Sequence, residues 1–284
     1  VLRLALPLRV LEPEALFTHL DQALVQAGAQ GQDLESRLAN LPPHLILVEE
    51  AERAFLRRVR GFEAFRALID LASTTRNRHF VAMTMHAPAW RFLARMRRIL
   101  NPELFGQVLS LERRSGADLR ESLTAGAEEV GLALDFSGLL RTGTLASDPE
   151  NELERATEAW FRLLAEGAQG NAAVAWRLAR SCLEPTRDPK VLRVRLSQRL
   201  ARDPLEEMGD AEQLVTAALH LHGALSLDEL RQVNNAPHGA TDPVLRALED
   251  RDVVEQRPGG RFGLTLSHLP AVLRTLRRRH FVHG

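Results

Sequence analysis

The sequence has no tyrosine, one cysteine and, among 37 Lys and Arg residues, a single lysine. Each shortage removes a class of chemistry. Cys182 alone cannot close an internal disulfide, so the chain is expected in a reducing, cytoplasmic setting. No Cys/His set with zinc-binding spacing can be assembled either. Any mechanism needing a catalytic or phosphate-binding lysine has only Lys190, in the loop Glu184-Pro-Thr-Arg-Asp-Pro-Lys190. That lysine has neither the glycines nor the preceding strand of a Gly-x-x-x-x-Gly-Lys-Ser/Thr loop, and no such loop occurs elsewhere. No apolar run reaches the roughly 18 residues that span a bilayer, and no signal-peptide pattern is present. Net charge is missing too: 37 basic side chains balance 37 acidic ones. No whole-molecule field therefore draws the chain to nucleic acid or to an anionic membrane.

What is present reads as a soluble globular chain, 45% hydrophobic and 26% charged. It begins at Val1 directly with strand-like sequence and is expected to be a piece of a longer polypeptide. Residues Val1 to Leu8 alternate as a strand. Pro13 opens an amphipathic helix carrying Leu16, Leu20, Leu24 and Val25, which runs to the Gly28/Gly31 break. His44-Leu-Ile-Leu-Val-Glu-Glu50 reads as a strand buried on both faces of a parallel sheet. A helix over Gly61–Ser73, a strand over His79–Met85, a helix over Ala87–Leu100 and a short strand over Gly106–Leu111 follow. Strands alternating with helices predict an α/β fold with a mostly parallel sheet.

From Leu119 the pattern reads as helical only, over Leu119–Val130, Asn151–Ala165, Asn171–Leu183 and Lys190–Leu200, with a loop over Gly138–Pro149. Arg202–Gly209 reads as a linker. Beyond it stand helices over Ala211–His222, Ser226–Val233 (with a Ser226/Glu229 capping box) and Thr241–Asp250. Two strands around Pro258-Gly-Gly260 and an Arg-rich helix over His268–His280 complete the winged-helix order. His220 and His222, two apart, do not share a helix face and are not expected to bind metal. Cys182 reads as buried and inert. Trp90, Trp160, Trp176, Phe62 and Phe65 read as core.

The candidate chemistry lies at Glu49-Glu50. A parallel strand ending in adjacent carboxylates sets both at the carboxyl edge of the sheet, where open α/β sheets bind ligands. In a nucleotide triphosphatase the first acid would hold Mg²⁺ through water and the second would orient the attacking water. Alternatively, the two acids start a solvated turn and pair with Arg53 and Arg57. The next strand ends in Thr84-Met85-His86, which sets polar side chains beside the acids.

The order of acidic strand end, polar strand end, helical region with a Gly170-Asn171 turn, and winged helix resembles the AAA+ and STAND-type ATPases. The nearest likeness is to a bacterial group with a Gly-Phe-x-Ala segment, here Gly61-Phe62-Glu63-Ala64. The resemblance implies a partial P-loop NTPase-like parallel-sheet domain over 1–117, an all-α lid over 118–204 and a winged-helix domain over 205–284. It implies ATP and Mg²⁺ as cofactors of the full-length protein. Catalytic roles fall on Glu49 (metal, through water), Glu50, Thr84 and His86, and nucleotide contacts on Gly170, Asn171 and Arg177. Arg95, Arg97 and Arg98 fall where an arginine finger would reach a neighbouring subunit, or else form a solvated basic face. Homo-oligomers or partner proteins are implied, bound through the lid and winged helix.

The departures are specific. Glu49 stands where the family has aspartate, Ala172 where the lid has proline, and Ala173 where a sensor arginine is frequent. The P-loop would have to precede Val1. A DNA role for the winged helix is the weaker expectation, because its third helix, from Thr241 to Asp252, carries more acids than bases. A non-catalytic, DNA-binding or scaffolding protein with a degenerate nucleotide domain is the alternative.

Overall fold

In a computed structural model, the chain is described over residues 1–96, 99–100, 102–140, 149–196 and 208–281. Strand β1 (Leu2–Ala5) leads through Pro7 and Pro13 into helix α1 (Pro13–Gln26), with Pro13 at its first turn, where the missing N–H costs nothing. Helix α2 (Leu34–Asn40) follows, then β2 (Leu45–Glu49), a 3-10 turn at Ala51–Ala54, α3 (Glu63–Thr75), β3 (Phe80–Met83) and α4 (Ala87–Arg95). The three strands form one parallel sheet in the order β1-β2-β3, with Leu4 beside Val48 and Val48 beside Met83.

Alternation along these strands separates two unlike faces. Leu2, Leu4, Ile46 and Val48 are at most 6% exposed and pack with Leu16, Leu20 and Leu24 of α1 and Leu68 of α3. On the opposite face Phe80 is 72% exposed, and Leu45, Leu47 and Ala82 are half-buried. The expectation that β2 is buried on both faces therefore holds for one face. The other face is only partly covered among the described residues, and β3 is an edge strand. The strand expected at Gly106–Leu111 is irregular for the same reason. Among the described residues no strand pairs with it, and Leu109 is 82% exposed.

The second half is not helical only. Helices α5 (Gly116–Glu129), α6 (Pro149–Gly167) and α7 (Ala172–Ser181) enclose Leu119, Leu123, Trp160, Phe161 and Val174. A small sheet accompanies them: β4 (Ala133–Asp135), β5 (Leu183–Pro185) and β6 (Val191–Val194), in the order β4-β6-β5. The all-α lid is corrected accordingly. Val191-Leu-Arg-Val194 is a strand where the sequence pattern predicts a helix over Lys190–Leu200. Its branched residues instead follow Pro185 and Pro189, which interrupt a helical approach. Residues 197–200, most of the Gly138–Pro149 loop and most of the Arg202–Gly209 linker lie outside the described residues. Trp176 is also not core. It is 41% exposed and lies over Gly126, where an added Cβ would meet its ring at 2.6 Å.

Toward the C-terminus come α8 (Asp210–His222), β7 (Leu225–Ser226), α9 (Leu227–Asn234), α10 (Thr241–Asp250), β8 (Val254–Arg257), β9 (Arg261–Leu264) and α11 (Leu269–Arg278), with sheet order β7-β9-β8. This is the helix–helix–helix–hairpin–helix order read from the sequence. The Ser226/Glu229 capping box is present, and Gly259 and Gly260 both take the positive φ that a tight hairpin turn requires. Two compact units result. One comprises Val1–Ser110, Leu214–Ala247 and Gln256–Gly263; the other comprises Leu111–Gln213, Leu248–Glu255 and Leu264–Gly284. No helix among the described residues is long and apolar enough to cross a membrane.

Candidate functional site

The carboxyl end of β2 in the first unit gathers three of the expected residues. Thr84 continues β3 and ties the two strand ends together. Its amide donates to the Val48 carbonyl, its carbonyl accepts from the Ala51 amide, and its hydroxyl accepts from the Glu50 amide at 3.0 Å. That hydroxyl keeps its own proton to donate outward. Glu49, half-buried, is paired in register with Ala5, and alternation sets it on the partly covered face with Leu45 and Leu47. Glu50 is exposed and sits in the left-handed region at φ 55°, ψ 50°. A non-glycine residue there costs on the order of 1–2 kcal/mol, and such strain concentrates at functional sites. The chain turns sharply at Glu50, and the strain comes with that turn.

Glu50 is ion-paired to Arg53 at 2.5 Å, and Arg53 also donates to the Leu6 carbonyl at 2.7 Å. This pairing is the one the solvated-turn alternative called for at Arg53. Arg57 goes elsewhere: its amide donates to His222 Nε2 at 3.3 Å and its guanidinium to the Val233 carbonyl. His86 does not join the acids. Its Nδ1 lies 3.1 Å from Glu52 Oε1 and its Nε2 3.3 Å from the His220 carbonyl. Arg95 is exposed in the last turn of α4, and Arg97 and Arg98 lie outside the described residues.

Gly170, Asn171 and Arg177 belong to the second unit. Gly170 has φ +73°, and a Cβ there would meet Arg113 Cβ at 2.3 Å, so glycine is required on two counts. The Asn171 side chain caps α7 by accepting from the Val174 amide at 3.2 Å. Arg177 is exposed on that helix. The Gly-Asn turn thus has a local structural task, that of starting α7.

The Gly-Phe-x-Ala segment also has a mechanical role. Gly61 closes the turn after the acidic end: Leu56 N donates to its carbonyl, and a Cβ at Gly61 would meet the Leu56 oxygen at 2.1 Å. Phe62 stacks on Phe55 at 5.6 Å, and Ala64 is fully buried.

Two further residues, Arg9 and Glu52, join Glu229 and His222 around this region without having stood out in the sequence. Arg9 is almost fully buried. It donates to Glu229 Oε1 and to the carbonyls of Glu52, Phe55 and His222. Glu229 also takes two hydrogen bonds from Arg261. Burial opposes ionisation of Glu229, but the Ser226 amide and the two arginines outweigh it and hold the carboxyl below its ordinary value. Glu52 is likewise held below its ordinary value, because His86 outweighs its burial. His222 is pushed well down, by burial first and then by Arg9 and Arg57. The only sequence signal for Arg9 was a charge set in the apolar run Leu6-Pro-Leu-Arg9-Val10.

No group of three or more metal-ligating side chains occurs among the described residues. Glu49 and Glu50 fit a water-mediated Mg²⁺ in chemistry: both are oxygen donors of the kind that cation takes, and both are at least partly accessible.

No family model and no curated protein matches the sequence. Among solved structures, the chain is similar to the ORC2 protein of Aeropyrum pernix in its ADP form, at 17% identity and a TM-score of 0.31. That match covers 99% of this chain and 79% of the other. It is also similar to the same protein in ADPNP–ADP complexes, at 16% identity and a TM-score of 0.36, covering 98% and 79%. A third match is Cdc6p from Pyrobaculum aerophilum, at 13% identity and a TM-score of 0.33, covering 98% and 80%.

Proposed function

We propose that this chain is the C-terminal part of an ATP-dependent conformational switch of the AAA+/STAND type. The reading divides it into the distal part of a nucleotide-binding α/β domain (1–117), a lid (118–204) and a winged-helix domain (205–284). Glu49 would hold Mg²⁺ through water, Glu50 would orient the attacking water, and Thr84 would contact the transferring phosphate. The bound ATP–Mg²⁺ supplies the phosphoryl group and the charge that the protein must neutralise. Gly170, Asn171 and Arg177 would meet the nucleotide from the lid, and Arg95 would serve a neighbouring copy in a cytoplasmic oligomer.

One observation carries the reading. The parallel sheet that presents Glu49 and Glu50 ends at the β3 edge, and the face that carries Glu49 also carries Leu45, Leu47 and the 72% exposed Phe80. A further strand and helix would cover it, and a P-loop on such a unit would lie beside the two acids. The buried ion pairs of Glu229 support a protein-packing role for the winged helix over a DNA role, since they commit its charges inward.

The test compares Mg-ATP binding by the 284-residue chain with binding by the longest natural polypeptide that contains it. Binding by the longer chain only is the expected result. No binding by either overturns the reading.

A further inference from the structure

We infer that Glu50–Arg58, the segment leaving the acidic end of β2, is a coupling element that ties Glu50 and Thr84 to helices α8 and α9. The inference deepens the proposed function, on which it rests for its purpose, by naming how the two ends of the first unit communicate. At its start, the segment is held to the sheet by Thr84, which accepts from both the Glu50 and Ala51 amides. At its end it is held to the C-terminal helices, with the Arg57 amide on His222 Nε2, the Arg57 guanidinium on the Val233 carbonyl, and the Arg58 guanidinium on Gln232 Oε1 at 2.6 Å. Between the ends, Arg9 binds the segment's Glu52 and Phe55 carbonyls with one nitrogen, the His222 carbonyl with another and Glu229 with a third. The Phe55 ring lies 5.0 Å from the His222 ring.

This arrangement has few ways to yield gradually. The Arg9 and Glu229 side chains are only 7% and 13% exposed, so each depends on its partners, and a change at one end leaves a poorly solvated polar group unpaired at the other. Glu50 is the strained residue of the segment, and relaxing its φ would shift the amides that Thr84 accepts from. Whatever occupies the acidic end can therefore bias the docking of α8 and α9, and by thermodynamic reciprocity their release can bias the acidic end.

Hydrogen exchange on the full chain without nucleotide tests this. Glu229→Gln keeps an acceptor at the third helical position for the α9 cap while removing the charge that Arg9 and Arg261 share. Ser226→Ala weakens the cap and leaves the charge. Loss of a charge-assisted hydrogen bond corresponds to roughly ten- to a hundredfold in an opening equilibrium. Glu229→Gln is expected to speed exchange of the Ala51, Arg53 and Leu56 amides by that factor, and Ser226→Ala is expected to act on α9 alone. From the other end, Thr84→Val is expected to speed exchange in α9. Unchanged exchange over 50–58 in Glu229→Gln overturns the inference, as does an acceleration spread equally through α1 and α3. Because no nucleotide is present, absent ATP binding in the longer polypeptide would sink the proposed function without touching this result.

Discussion

At the residue scale, Glu50 carries two opposed properties. Its backbone takes a conformation that suits glycine or asparagine, while its side chain is the acid that the proposed chemistry needs. Its ion pair with Arg53 is exposed and contributes only about 0–1 kcal/mol. Replacing it by asparagine, which tolerates the left-handed region, would remove strain of similar size. Glu50→Asn is therefore expected to melt within about 3 °C of the parent chain or above it, which calorimetry would measure. A drop of 10 °C or more would mean that the carboxylate is held for stability. The identity of Glu50 was legible in the sequence from an apolar run ending in two acids. Its dihedral angles were not, because they come from the turn between β2 and the 3-10 helix. Gly61-Phe62-Glu63-Ala64 is similar: the motif could be quoted from the sequence, but the approach of Gly61 to the Leu56 carbonyl needed the fold.

At the element scale, strong local signals were the legible ones. The Ser226/Glu229 capping box, the Pro-Gly-Gly hairpin and the leucine stripe of α1 all read directly into structure. Among the elements that the sequence did not reveal, α2 and β6 have identifiable reasons. Helix α2 is short, and its cap pairs Asp33 with Ser36, a polar stretch that reads as loop. Strand β6 reads as helix in the sequence because its four residues also fit a helical face, and its parallel partner β4 is distant in sequence. The region where α8 meets the Glu50–Arg58 segment carries a pH prediction. His222 is the titrating group, acted on by Arg9, Arg57 and His86. Its folded value lies well below its ordinary 6.5, so below that pH the unfolded chain takes a proton that the folded chain refuses. Stability is full above 6.5 and falls as the pH drops, by at most about 1.4 kcal/mol per unit for one proton. The lowered carboxyls of Glu52 and Glu229 add a further loss below their ordinary 4.5. Urea midpoints between pH 7.5 and 5 are expected to decline in the parent chain and to decline less in His222→Gln. Parallel curves would remove His222 from the account.

At the scale of the whole molecule, composition spoke early. Balanced charge argues against a whole-molecule pull on nucleic acid, and the lone lysine, Lys190, stands in the second unit with its amide bonded to Asp188. Long-range facts were the illegible ones: that Arg9 meets Glu229 across 220 positions, and that residues 214–247 pack into the same unit as residues 1–110. No local pattern encodes such pairings: the apolar run around Arg9 and the capping box of Glu229 each hint at a local role, but neither names its distant partner. Under the proposed function, Glu50 at the acidic end of β2 orients the attacking water. Steady-state ATP turnover by the longest natural polypeptide, measured with and without Glu50→Gln, tests it most directly. The account predicts retained ATP binding with turnover reduced on the order of a hundredfold or more, the scale expected when a group positioning the nucleophile is lost. Turnover equal to that of the parent chain would contradict it.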